Sequence, residues 1–350
     1  MTRIISVTSG TGGAGKTFLC IDLALALAGL GRRVVILDCA SDTDNVHARL
    51  NIPRDACLED VLDGRAGIAE LPSRHPSGVE IIAAHPGVER LAMPDGGRSG
   101  SVLSDESVMH GAESILIDSS SCNPRAVVAF CQLSTEVILL LHPDTGAQAE
   151  NYALLKILLL NGFGGRVSIV VNKVDDLASG ERLFEEFRKT VLHYLALELS
   201  LMEVIISDPS VRLAASSQQS PLQVFPHSAA VASVRAIAGQ IGRDEHDQGD
   251  ALTVGQFWGT YARLVQTSLI VAGQLPIRDQ EDGETSARLS ETDSGNADDR
   301  IDADRGLAGI SDILAAFDHE RIRNPAGDTE DELYAIRKED GSSLICAWHE

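Results

Sequence analysis

Along the first 245 residues, continuous apolar runs alternate with stretches whose apolar positions recur every three or four residues. The runs Arg3–Thr8, Arg33–Asp38, Val79–Ala83, Ser114–Asp118, Glu136–Leu141, Val167–Asn172 and Met202–Ile206 mostly lack polar alternation, which marks strands covered on both faces. Helical spacing between them predicts helices near Lys16–Gly29, Leu58–Gly64, Pro124–Leu133, Gly146–Leu160, Gly180–Leu199 and Ser228–Ile241. This order predicts an α/β fold, a doubly wound and mostly parallel sheet with its ligand site at the carboxyl ends of the strands.

The pattern changes after residue 245, so a first domain is expected over 1–245. Within 250–274, Val254, Phe257, Trp258, Tyr261, Leu264, Val265 and Leu269 fall on one face of an amphipathic helix. Residues 278–305 carry ten acids against four arginines among Ser, Gly and Asn, a composition that cannot bury enough apolar surface to fold. An acidic linker and tail is expected over 275–350, with a short helix at 306–318 and a hairpin at 332–348.

Composition narrows the function. The formal net charge of −22 divides into −13 from His246 to Glu350 and −9 before it, so neither part offers the basic field that nonspecific DNA binding needs. The six cysteines (20, 39, 57, 122, 131 and 346) include no C-x-x-C, which fits reduced thiols in a cytoplasmic protein. No signal segment is expected before the first strand, and no apolar run reaches membrane-spanning length.

The chemistry concentrates in Ser9-Gly10-Thr11-Gly12-Gly13-Ala14-Gly15-Lys16-Thr17, between a strand and a helix. Glycines let a loop turn its N–H groups onto phosphate oxygens, and the helix N-terminus adds partial positive charge. Lys16 suits the β/γ-phosphates and Thr17 suits Mg²⁺. Asp38 and Asp118 each close an apolar strand and are the candidate carboxylates for that Mg²⁺.

The loop resembles the deviant phosphate-binding loop K-G-G-x-G-K-T of the MinD/ParA family of P-loop ATPases. The resemblance assigns the nucleotide to Gly10 through Phe18 (Gly10, Thr11, Gly12, Gly13, Ala14, Gly15, Lys16, Thr17 and Phe18). It also assigns Asn172 to the adenine edge and Asp208 to the vicinity of the base, with ATP and Mg²⁺ as cofactors. Three positions depart from the family. Its first lysine, which reaches the partner protomer's nucleotide, falls at Thr11. The aspartate that positions the attacking water, from the family's D-x-D-x-x-x-x-N, falls at Ala40, with Asp42 and Asp44 as substitutes nearby. The D-T-x-A-G segment becomes Asp118-Ser119-Ser120-Ser121-Cys122, without its glycine.

Further segments over residues 1–266 resemble the FlhG (FleN) branch, which controls flagellar number and placement. They are Leu58-Glu59-Asp60-Val61-Leu62-Asp63-Gly64-Arg65, Pro143-Asp144-Thr145 with Asn151–Lys156, Asp208–Ala214 and Gly255-Gln256-Phe257-Trp258. The resemblance implies an ATP-linked homodimer and partners such as an FlhF-like GTPase or a flagellar transcription activator. The branch's N-terminal D-Q-A-x-x-L-R segment has no counterpart here, so stimulation of the GTPase is not expected. Arg263 is the only basic residue of 254–270, so contact with the inner membrane is expected to be weak or absent. The implied function is an ATP-binding regulator with weak or absent hydrolysis. An active ATPase switch for spatial positioning and a non-catalytic scaffold are the alternatives.

Overall fold

The computed structural model describes residues 2–40, 45–91, 109, 111–120, 122–243 and 254–268, and the backbone of three short strands beyond residue 320. The chain divides into two units, Met1–Arg278 and Asp279–Glu350.

In the first unit, eight strands form one sheet in the order β3-β4-β2-β5-β1-β6-β7-β8. They are β1 (Arg3–Thr8), β2 (Val34–Asp38), β3 (Pro72–Arg74), β4 (Glu80–Ala83), β5 (Ser114–Asp118), β6 (Glu136–Leu141), β7 (Arg166–Val174) and β8 (Ser200–Ile206). All pairs are parallel except β3 with β4. The expected α/β class and parallel sheet are therefore present. Short β3 was not legible, since its three residues carry no periodicity and its proline suits only an edge.

The helices are α1 (Lys16–Gly29), α2 (Val46–Leu50), α3 (Leu58–Leu62), α4 (Gly87–Leu91), α5 (Pro124–Leu133), α6 (Thr145–Leu160), α7 (Leu177–Leu195), α8 (Pro209–Ser216), α9 (Pro221–Val224), α10 (Ala229–Arg243) and α11 (Val254–Thr267). Helix α7 starts three residues before the sequence pattern suggests, because Asp176 and Ser179 cap it reciprocally. It stops at Leu195, where Ala196 turns left-handed.

Helix α1 buries ten of its residues, from Thr17 to Leu27, between the sheet and α10. A salt bridge ties the inner strands: Arg3 reaches Glu136 at 2.5 Å, Ser168 donates to the same carboxylate, and Arg3 also donates to the Ile241 carbonyl of α10. Helix α11 lays its apolar face on α5. Tyr261 stacks on Phe130 at 4.4 Å and donates to the Val88 carbonyl, while Phe257 and Trp258 are buried. Among the described residues no helix is long and apolar enough to cross a membrane.

In the second unit, β9 (Arg321–Ile322), β10 (Glu332–Arg337) and β11 (Ser343–Trp348) form an antiparallel sheet in the order β11-β10-β9. The expected linker at 278–305 and helix at 306–318 lie outside the described residues.

Asp22 sits fully buried on α1, accepting from Ser220 Oγ at 2.5 Å and Leu222 N at 3.1 Å. Burial outweighs these bonds and pushes its carboxyl up to about 7. The unfolded chain loses this proton near pH 4, the native chain only near pH 7. The contribution is therefore full at low pH and lost as pH rises to neutrality, on the order of 4 kcal/mol in all. Denaturant unfolding at pH 4 to 8 should show that slope in the wild type, and Asp22→Asn should flatten it.

Candidate functional site

The site forms where β1 runs into α1, at the carboxyl ends of the parallel strands. Neighbouring strands β5 and β6 lie on either side of β1, which opens a crevice at that end. Two asparagines hold the loop between β1 and α1 from outside. Asn151 of α6, fully buried, accepts from Gly10 N at 2.6 Å and donates to the Leu140 carbonyl at 2.9 Å. A Cβ on Gly10 would lie 2.4 Å from the Glu150 carbonyl carbon, so only glycine lets α6 approach this closely. On the other side, Asn172 donates to the Ala14 carbonyl at 2.8 Å and accepts from Lys173 N at 2.9 Å. A Cβ on Gly15, which has φ +97°, would meet that amide at 2.6 Å.

Between the clamps, Lys16 donates to the Thr11 carbonyl at 2.8 Å. Burial lowers its pKa, against the attraction of Asp118. The leading N–H groups of α1 have no intrahelical partner and face a site that favours anions. Gly12 and Gly13 leave their surroundings open, and Phe18 packs back on the core.

Asp38 and Asp118 occupy partnered positions at the ends of β2 and β5. Both are buried. Asp118 accepts from the hydroxyl and N–H of Ser120 through Oδ1, and Ser120 Oγ lies 3.0 Å from Thr17 Oγ1. Its Oδ2 is buried without a hydrogen-bond partner. Burial, then the charge of Asp38, raises the Asp118 pKa. An uncompensated carboxylate oxygen in the same cluster as a threonine hydroxyl fits a magnesium ion, which takes one or two carboxylates and completes its shell with phosphate and water. No group of three or more His, Cys, Asp or Glu residues among the described residues could hold a metal without such help.

Asp38 is differently engaged. Its oxygens accept from Ala40 N at 3.1 Å and Val46 N at 2.8 Å, and His47 Nδ1 lies 3.6 Å away. Asp208 caps α8 through Ser210 N and braces α10 through Ala230 N. Burial would raise its pKa, but these bonds hold it below the ordinary carboxylate value. Ala40 is buried and its side chain offers no polar group, and Asp42 and Asp44 lie outside the described residues.

The sequence reading did not assign three residues to the loop. They are Asn151, His142 (whose Nε2 lies 3.0 Å from Thr11 Oγ1) and Lys173. Lys173 has φ +63° at a register shift between β7 and β8, and its Nζ reaches the Gly13 carbonyl at 2.5 Å. Bulges of this kind re-aim side chains beside binding sites. The Asn172-Lys173 pair at a strand end was the only local signal for the lysine.

The profile of the family described as the CobQ/CobB/MinD/ParA nucleotide binding domain matches residues 5–222. The chain is 30% identical over 240 residues to the antiactivator FleN of Pseudomonas aeruginosa, covering 68% of this chain and 86% of that protein. It is 24% identical to the flagellum site-determining protein YlxH of Helicobacter pylori, over 68% of this chain and 81% of the relative. Among solved structures, the septum site-determining protein MinD of Pyrococcus horikoshii, complexed with Mg-ADP, superposes with a TM-score of 0.54 at 20% identity. That match covers 72% of this chain and all of that one.

Removing the Asn151 side chain strands the part-buried Gly10 N–H and the buried Leu140 carbonyl, at about 1–3 kcal/mol each. Asn151→Ala should therefore lower unfolding free energy by roughly 2–5 kcal/mol in urea titrations. An unchanged midpoint would show that the loop does not depend on this clamp.

Proposed function

The chain belongs to the CobQ/CobB/MinD/ParA nucleotide-binding domain family, and from that premise we propose that it is an ATP-binding regulatory protein controlling flagellar number or placement through nucleotide-linked association with partners. The flagellar assignment rests on its similarity to FleN and YlxH. The observation that carries the nucleotide reading is the loop itself, clamped by Asn151 and Asn172 around Lys16.

In this reading Gly10 to Thr17 wrap the phosphates, and Lys16 exchanges the Thr11 carbonyl for phosphate oxygens. Thr17, Asp118 and Asp38 are the residues that would hold Mg²⁺, which when bound neutralises phosphate charge. Asn172 and Asp208 lie toward the base; for Asn172 to read an adenine edge, its amide must leave Ala14. Hydrolysis is weak or absent, because neither Thr11 nor Ala40 supplies the charge or carboxylate that phosphoryl transfer uses. Comparable groups contribute roughly 10³–10⁵ in rate in related enzymes. An ATP-linked homodimer, an FlhF-like GTPase and a flagellar transcription activator are the partners of this reading. DNA is not among them, and the burial of Phe257, Trp258 and Tyr261 leaves α11 little apolar face to give a membrane.

An active ATPase switch is the second reading, favoured by Lys173, whose ammonium group already touches the loop.

Calorimetry with Mg²⁺–ATP and multiple-turnover phosphate release on one sample tests both. Binding without turnover is the expected result. Lys16→Ala should weaken affinity by roughly 10- to 100-fold, the worth of hydrogen bonds to a charged group. Turnover abolished by Lys16→Ala would establish the active switch instead, and absence of binding would sink both readings.

A further inference from the structure

Thr11 replaces a lysine of the resembled family, yet its side chain is not idle. Its Oγ1 lies 3.0 Å from His142 Nε2, and its carbonyl accepts from Lys16. The charged groups facing His142 come from three elements: Lys16 at the start of α1, Lys173 at the β7 bulge and Asp144 at the cap of α6. Burial holds the imidazole below its ordinary pKa; Asp144 opposes it, and Lys173 and Lys16 add smaller contributions in the direction of burial. In the neutral ring protonated on Nδ1, Nε2 accepts from the Thr11 hydroxyl.

We propose that His142 is a proton-linked positioning residue for the nucleotide's phosphates. When phosphates fill the loop, the ring takes a proton from solvent onto Nε2, and Nε2–H donates to Thr11 Oγ1. The Thr11 hydroxyl hydrogen is thereby released to donate to a phosphate oxygen. The driving force is electrostatic, since phosphates entering beside Lys16 offset the repulsion that the two lysines add to burial in lowering the ring's pKa. At an effective dielectric near 20, a negative charge about 7 Å away shifts such a proton equilibrium by more than about tenfold. Protonation thus places a cation beside Thr11 when the loop is filled. The proposal rests on the nucleotide-binding reading.

The test is calorimetry of the full chain with Mg²⁺–ADP at excess Mg²⁺, near pH 7, in buffers of different ionisation enthalpy. The wild type should take up a substantial fraction of one proton per ADP, and its affinity should fall as pH rises, by up to tenfold per unit. His142→Gln, which keeps a polar partner for Thr11, should lose that uptake and flatten the profile. No uptake by the wild type, or equal uptake by the variant, overturns the proposal while leaving nucleotide binding intact. No Mg²⁺–ADP binding at any pH overturns both. If the variant does not fold, histidine ¹⁵N NMR of the wild type decides: one ring's titration midpoint should rise on adding Mg²⁺–ADP, and unmoved midpoints overturn the proposal.

Discussion

A backbone that turns its N–H groups inward has to be held by its outward-facing groups. That constraint organises this molecule. The outer side of the loop is gripped at Gly10 by Asn151 and at Ala14 by Asn172, two side chains from elements on the far side of β1. Each buried amide both donates and accepts, so the loop cannot relax without breaking those bonds, at a cost of about 1–3 kcal/mol for each polar group left unpaired. The glycines at positions 10 and 15 are consequences of the grip. They are where α6 and the Asn172 amide come too close for any Cβ. The site is thereby organised before a ligand arrives, and ordering the loop takes little from binding energy.

A second consequence is electrostatic. The parallel register puts Asp38 and Asp118 side by side beneath the loop, both out of water. Burial first, and then the charge of Asp38 at the adjacent strand end, hold the Asp118 proton more tightly than usual. Lys16 lies close enough to compensate in part, although burial lowers its own pKa. The cluster carries an electrostatic debt that a divalent cation and a polyphosphate would settle jointly, each removing the other's penalty.

How much of this could be read from the chain follows from sequence distance. The strands, the glycine-rich turn, Lys16-Thr17 and the two strand-ending aspartates are local patterns, and the structure has that fold and places those residues around one crevice. Asn151, His142 and Lys173 were invisible as partners of the loop because they reach it across 141, 131 and 160 residues respectively. Nothing in a helical run such as Ala149-Glu150-Asn151-Tyr152 announces that its asparagine points under a loop so far away. Helix α8 was missed for another reason. Asp208-Pro209 is a cap followed by a first-turn proline, a legible start signal, but the segment's eight residues carry too short an apolar pattern to register.

Asp38 joins the site to the loop that follows β2. One carboxylate holds both ends of that loop, through the N–H groups of Ala40 and Val46. Ala40 contributes only this N–H, since its side chain is apolar and buried. A carboxylate that turns toward a cation must weaken its hold on at least one of these groups, because the oxygens accept along limited directions. A move of the Asp38 carboxylate would therefore disturb the N–H groups of Ala40 and Val46 together. A ligand that favours the bound geometry would be felt at α2 through Val46 and His47, the residues that Asp38 touches.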